Sequence, residues 1–225
     1  MRSSAVVSAA LAVLLLVLVA VSWPPLLSLD RSVTEELHRS AVAEPGFTQL
    51  NRILSDWVWD PLTMRVLVGV AVVVLWWRRE RLLALWLTAA SLLTAGIQQG
   101  MKWAVGRERP AWPDPVDSAH YASFPSGHAM TATVSCGLLL WVLALHWREG
   151  WRGWSVIAVT AVVSVLGVGW TRVYLGVHWP SDVVAGWLLG IFLVTVSIIT
   201  FRAYGEGSGR AAPPGTTRRR MGETP

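Results

Sequence analysis

Six long apolar runs alternate with polar gaps along the chain, at residues 5–22, 61–77, 82–101, 129–147, 154–170 and 183–201. Crossing a bilayer as a helix takes about 20 predominantly apolar residues. The shorter runs reach that length with their flanks, so the pattern predicts six transmembrane helices. Tryptophan marks many of the ends, at Trp23, Trp59, Trp76, Trp77, Trp103, Trp147, Trp154 and Trp170. Indole rings favour the headgroup layer, which makes them boundary markers. The acidic gap 30–60 predicts a short amphipathic helix lying on the membrane surface. Arg65 falls within about a turn of the start of the second run, from where it can snorkel to the interface. The expected fold is therefore all-α, a polytopic six-helix bundle over residues 1–204. The Gly-, Pro- and Arg-containing tail 205–225 reads as disordered. No internal repeat is visible.

Composition supports this picture. The chain is 53% hydrophobic and 15% charged, against about a quarter charged in a soluble domain. The net charge of +5 does not form a nucleic-acid-binding face, because the basic residues fall in the gaps and the tail. One alternating set holds eleven: Arg2; Arg78, Arg79, Arg81; Arg148, Arg152; and Arg202, Arg210, Arg218, Arg219, Arg220. The other set holds seven: Arg31, Arg39, Arg52; Lys102, Arg107, Arg109; and Arg172. The positive-inside rule places the first set in the cytoplasm. A multi-pass cell-membrane protein with both termini cytoplasmic is expected. Gaps 30–60, 102–128 and 171–182 then share the outer face, and the basic tail serves orientation or weak contact with anionic lipid. The first run also has features of a signal peptide, with Ala20 and Ser22 ahead of Trp23. Its long apolar core favours a retained anchor. The single cysteine, Cys136, excludes an intrachain disulfide and a cysteine-cluster metal site.

Three outer-face gaps carry ionisable groups next to span ends, where such groups are costly and point to function. "MKWAVGRERP" supplies Lys102 and Arg109, "FPSGH" supplies Ser126, Gly127 and His128, and "WTRVYLGVHWPSD" supplies Arg172, His178 and Asp182. Pro125 suits the first turn of the fourth span and Pro180 that of the sixth. The N–H groups opening the fourth span would favour a phosphate, which Gly127 allows to approach closely. Ser126 adds a hydroxyl donor. Asp182 follows His178 by four residues and can fix its tautomer, leaving the other nitrogen nucleophilic. Lys102, Arg109 and Arg172 would bind phosphate oxygens. Together these groups suggest phosphoryl transfer, one histidine attacking phosphorus and the other protonating the leaving oxygen. Metal ligation is the rival use of histidine; the adjacent cations disfavour it, and HExxH, CxxC and carboxylate clusters are missing.

These segments resemble the three signature motifs of the type 2 phosphatidic acid phosphatase family, whose fold is shared with vanadium haloperoxidases. The first is Lys, six residues, Arg-Pro, here Lys102 and Arg109-Pro110. The second is Pro-Ser-Gly-His, here Pro125 to His128. The third is Ser-Arg, five residues, His, three residues, Asp, here Thr171-Arg172, His178 and Asp182, with threonine replacing serine. The resemblance implies that His178 is the nucleophile that becomes a phosphohistidine, Asp182 its orienting partner and His128 the general acid. It implies that Lys102, Arg109, Arg172, Ser126 and Gly127 hold the phosphate, with no metal cofactor. The implied partners are membrane lipids and a lipid phosphate substrate: phosphatidic acid, phosphatidylglycerol phosphate or a polyprenyl diphosphate. A phosphotransferase using the same intermediate, or a non-catalytic binder of lipid anions, remains an alternative. The soluble haloperoxidase branch does not suit a chain made mostly of spans.

Other polar residues receive plainer expectations. Arg107 and Glu108 would pair with each other in solvent. His120 and Tyr121 would border the pocket, Asp114 and Asp117 would solubilise the loop, and His38 and His146 would sit at the interface.

Overall fold

Four helices of the computed structural model begin at proline, at Pro24, Pro45, Pro61 and Pro180. Proline at the first helical position costs nothing, since that N–H has no intrahelical partner. The structure describes residues 1–147 and 151–207. The helices are α1 (Arg2–Ala20), α2 (Pro24–Ala43), α3 (Pro45–Ile53), α4 (Pro61–Trp77), α5 (Arg81–Val105), α6 (Gly127–His146), α7 (Trp151–Tyr174) and α8 (Pro180–Gly207). A π-helical turn, Leu54–Val58, joins α3 toward α4. Among the described residues there is no strand, as the sequence pattern predicts. The expected tail from residue 208 onward, and Arg148, lie outside the described residues. α8 continues through Gly207, past the expected boundary at 204.

Among the described residues, six helices are long and apolar enough to span a membrane, counting the α3–α4 segment Pro45–Trp77 as one. The chain is a multi-pass membrane protein. Its centre is α6, which packs against α8, α7, α4 and α5. The most apolar 18-residue window of α6 is 56% buried, the highest share among the six. Its core partners include Val68 and Leu75 of α4, Leu83 and Leu87 of α5, and its own Val134, Leu138 and Trp141. The outer helices turn apolar side chains such as Leu62, Val66, Val70, Leu92, Val159 and Val162 outward, as lipid contact requires. α1 packs along α8, with Arg202 Nη1 3.6 Å from Met1 Sδ. The two ends of the described chain thus lie together.

One expectation needs correction here. Gap 30–60 does not hold one short helix lying flat on the membrane. It forms α2 and α3, of 20 and 9 residues, and α2 buries Asp30, Thr34, His38 and Ala41 against the protein. His146, expected at the interface, is exposed at the last residue of α6. Its Nε2 lies 2.9 and 3.0 Å from the two Glu80 carboxylate oxygens, joining the end of α6 to the start of α5.

Alternation of the spans gathers the C-terminal ends of α5 and α7 with the N-terminal ends of α4, α6 and α8. The candidate motifs come from those ends.

Candidate active site

At this end of the bundle lies a cavity of about 740 Å³, lined by Lys102, Arg109, Gly127, His128, Arg172 and His178 among others. Six of the eight sequence candidates therefore meet on one wall. His120 and Tyr121 border it as well. Ser126 and Asp182 are fully buried behind that wall.

His178 is presented by the turn between α7 and α8. Gly176 there takes a left-handed backbone, φ 66°, a conformation open to glycine. A Cβ at Gly176 would also stand 2.5 Å from Trp112 Nε1. The turn is closed by the N–H groups of Val177 and His178, both donating to the Arg172 carbonyl at 3.2 Å. His178 Nδ1 then lies 3.4 Å from Asp182 Oδ2, and Nε2 lies 3.1 Å from Arg109 Nη1. A guanidinium only donates, so Nε2 must carry the lone pair and Nδ1 the proton given to Asp182. Two partners on opposite sides thus fix the same tautomer. Burial, reinforced by Arg109, Arg172 and Lys102, holds the imidazole well below its ordinary pKa of 6.5. His178 is thus a neutral imidazole whose Nε2 lone pair faces Arg109 beside the cavity.

Asp182 is held more firmly than the sequence suggested. Its Oδ1 takes a bond from Arg107 Nη1 at 2.6 Å, and its Oδ2 takes the Trp179 N–H at 3.0 Å. Arg107 Nη2 reaches Asp30 Oδ2 at 2.7 Å, and Asp30 Oδ1 takes the Ser181 N–H at 2.9 Å. The expected solvent pair of Arg107 with Glu108 is corrected: the Arg107 side chain is only 11% exposed and bridges two buried carboxylates. A buried aspartate backed by a neutral imidazole has no charge compensation. That need, with an unassigned arginine two residues before Arg109, was the signal available in the sequence. Asp30, on α2, had no motif to announce it.

The three expected phosphate-binding cations are all engaged by protein acceptors. Lys102 donates to the Ala122 carbonyl. Arg109 bonds the carbonyls of Tyr121 at 2.9 Å and Val177 at 2.6 Å, stitching the 120–122 loop to the His178 turn. Burial and the neighbouring Arg172 lower the Arg109 guanidinium to about 10, so it remains a cation at neutral pH. Arg172 is 4% exposed. Its Nη1 bonds Ser55 Oγ at 2.8 Å and faces Asp117 at 3.6 Å and Asp56 at 3.8 Å. The loop carboxylates are not mere solubilisers. Asp117 faces Arg172, and Asp114 pairs with His38 at 3.3 Å. His38 is buried rather than interfacial, and stacks on Trp112 at 4.1 Å.

The start of α6 completes the wall. Ser126 is its N-cap, with Oγ 3.5 Å from the Ala129 N–H. The Ser126 N–H donates to the Asp182 carbonyl at 2.9 Å, tying the second motif to the third. Pro125 does not occupy the first turn as expected. The cap falls on Ser126, which leaves Pro125 outside the helix behind a cis peptide bond. A Cβ at Gly127 would stand 2.5 Å from Gln98 Nε2, so a larger residue there would push the Gln98 side chain aside. His128 has its Nε2 4.0 Å from Asp60 Oδ2. Among the described residues, no three His, Cys, Asp or Glu side chains are grouped closely enough to hold a metal ion.

Comparison with known proteins bears on the family and the fold. The sequence model of the PAP2 superfamily matches residues 83–205, which contain all three motifs. The chain is 28% identical over 158 residues to an undecaprenyl-diphosphatase of Sulfolobus acidocaldarius, covering 66% of each. It is 34% identical over 93 residues to phosphatidylglycerophosphatase B of Bacillus subtilis, covering 41% of this chain and 45% of that one. In fold it is similar to the crystal structure of a transmembrane PAP2 type phosphatidylglycerolphosphate phosphatase from Bacillus subtilis. The TM-score is 0.66 at 22% identity, over 89% of this chain and 97% of that one.

Two outcomes are expected. Arg107→Ala leaves Asp30 and Asp182 buried without their shared cation, and breaking a buried pair typically costs about 3–5 kcal/mol. Thermal unfolding in detergent should show a large drop in midpoint; an unchanged midpoint would deny the bridge a structural role. The second concerns pH. The unfolded chain carries His178 at its ordinary pKa of 6.5 and the folded value is lower. Below pH 6.5 the unfolded state therefore binds a proton that the folded state refuses. Stability falls with pH by up to about 1.4 kcal/mol per unit until the folded pKa is reached. Between pH 6.5 and 5 the unfolding midpoint should fall less steeply in His178→Gln than in the wild type.

Proposed function

We propose that this chain, which belongs to the PAP2 superfamily, is a phosphatase of membrane lipids that works through a phosphohistidine on His178. The observation that carries this reading is the fixed tautomer of His178. Arg109 lies against Nε2 and Asp182 holds the other ring nitrogen. A binding site for anions needs cations, but not a neutral imidazole with its lone pair aimed among them.

In the proposed reaction, Nε2 attacks phosphorus as the bond from phosphorus to the lipid oxygen breaks. His128, on the same cavity wall, gives its proton to that oxygen. It then takes a proton from water, whose oxygen attacks phosphorus; the P–N bond breaks and its electrons return to Nε2. Lys102, Arg109 and Arg172 neutralise the equatorial oxygens as charge develops. Gly127 and the first N–H groups of α6 offer further donors. Asp182 keeps its charge and stabilises the ring while phosphorus is bound.

The substrate in this reading is a lipid carrying a phosphomonoester or diphosphate. The names of the relatives, an undecaprenyl-diphosphatase and a phosphatidylglycerophosphatase, support that class. So does the position of the cavity at the ends of the spans, the depth of a lipid headgroup. In this reading the cavity opens on the extracytoplasmic side and both termini lie in the cytoplasm, an orientation that the distribution of Lys and Arg among the gaps supports.

Purified protein should release phosphate from such lipids in excess chelator, and vanadate, a trigonal phosphorus mimic, should inhibit it. His178→Ala should remove essentially all turnover; residual activity near wild type would end the phosphohistidine mechanism. His128→Ala should hurt a monoester more than a diphosphate, since a departing phosphate needs a proton less than an alkoxide does. For sidedness, Ser118→Cys in a Cys136→Ser background should react with an impermeant thiol reagent on intact cells, and Arg79→Cys should not.

A further inference from the structure

Arg65, on the second span, also borders the cavity, beside Gln98 and Gln99 of α5. Its surroundings differ from those of the three motif cations. Lys102, Arg109 and Arg172 each donate to protein oxygens. Arg65 is exposed, and among the described residues it has no hydrogen-bond or ion-pair partner. Gln99, which lines the same cavity, is exposed as well. Asp60 shares the cavity, but its Oδ1 takes the Leu62 N–H at 2.7 Å and its Oδ2 faces His128.

The position of Arg65 along the cavity is informative. Arg65 and Ala95 line both the main cavity and a narrow crevice below it, walled by Ser91, Thr94, Thr131 and Ser135. Thr94 and Val134 belong in turn to an apolar groove of about 170 Å³ between α5, α6 and α8, with Trp86, Leu138 and Leu193. The order is therefore histidines and motif cations, then Arg65, then hydroxyls, then hydrocarbon. A lipid lying along α5 and α6 with its scissile phosphate at His178 would run its tail past Arg65 in the direction of the groove. Arg65 stands where the next group toward the lipid would lie. An arginine on an apolar helix is costly, and a planar guanidinium matches phosphate oxygens in pairs.

We propose that Arg65, with Gln99, forms a second phosphate subsite that selects lipids carrying a non-scissile phosphoryl group between the scissile phosphate and the tail. This rests on the phosphatase reading above and narrows its substrate class. Two kinds of lipid supply that group: a diphosphate, with the phosphates adjacent, and a phosphodiester-linked headgroup such as phosphatidylglycerol phosphate. A lipid monophosphate does not. With a diphosphate, Arg65 also neutralises the lipid monophosphate that departs when the anhydride P–O bond breaks.

The test compares wild type, Arg65→Gln and Arg65→Lys on a prenyl diphosphate, the matching prenyl monophosphate and phosphatidylglycerol phosphate. Losing charge-assisted bonds to one phosphate should raise KM for the diphosphate roughly tenfold to a hundredfold. Expected alongside are a kcat within about threefold, an unchanged monophosphate kcat/KM and partial rescue by lysine. A parallel loss on phosphatidylglycerol phosphate would assign the subsite to both sources; a loss on the diphosphate alone would assign it to adjacent phosphates. Equal loss on the monophosphate, or no loss on either two-phosphate lipid, overturns the subsite. A binding readout separates this from failure of the phosphatase reading. Inorganic pyrophosphate should protect wild type from thermal unfolding more than orthophosphate does. Arg65→Gln should lose that excess while keeping the orthophosphate shift, and an excess that persists in the variant overturns the subsite whether or not turnover is seen.

Discussion

One arginine holds together the two halves of the end of the bundle that carries the candidate site. Arg107 reaches Asp182 at 2.6 Å and Asp30 at 2.7 Å, and all three side chains are largely or wholly buried. Asp182 opens α8, Asp30 belongs to α2, and Arg107 lies in the loop after α5. None of these charges is tolerable alone in that environment, because a buried ion without its partner loses its hydration for nothing in return. The network therefore has a single satisfactory arrangement, and that arrangement sets the position of the Asp182 carboxylate. From it follows the Nδ1 proton of His178, and from that the lone pair on Nε2, which faces Arg109. The chemistry at the cavity wall thus depends on an ion-pair network behind it that never meets the substrate.

The backbone repeats the same logic. The Ser126 N–H bonds the Asp182 carbonyl, and the Val177 and His178 N–H groups bond the Arg172 carbonyl. Arg109 adds bonds to carbonyls of two loops. Loops at this depth cannot rely on bulk water for every polar group, so motif side chains supply the missing donors. Their motif positions serve structure, beside the phosphate binding proposed for them.

What the sequence revealed tracks what its solvent imposes. Lipid demands long apolar runs, and the second, 61–77, coincides with α4. α5 and α7 run beyond their predicted ends, 101 and 170, to Val105 and Tyr174. Their last turns carry Lys102 and Arg172, which face the cavity rather than lipid, and hydropathy alone stops at such residues. The three motifs were legible because their spacing is fixed by short turns and helix starts. α2 was not. Asp30, Thr34 and His38 are four apart and share one helix face, but that buried face is polar. A search for apolar periodicity passes over it, and its partners, Arg107 and Asp114, lie more than seventy residues away. Arg107 itself was hidden beside the motif arginine, its role visible only once Asp182 is seen to need a cation.

Distances within the site separate the charges that build it from those that await a ligand. The bridges of Arg107 are 2.6–2.7 Å, full charge-assisted hydrogen bonds. Around the cavity the carboxylates stand further off. Asp117 and Asp56 are 3.6 and 3.8 Å from Arg172, and Asp60 is 4.0 Å from His128. At these separations they offset part of the positive potential of a cavity crowded with cations, without saturating the donors. The Arg172 Nε still has no partner. A phosphate offers several oxygens at hydrogen-bond distance where each aspartate offers a longer contact, so the ligand can win this competition. Moving the acids closer would stabilise the empty cavity at the expense of binding, and removing them would leave the cations repelling one another. The intermediate spacing suits a site that must fill and empty on every turnover.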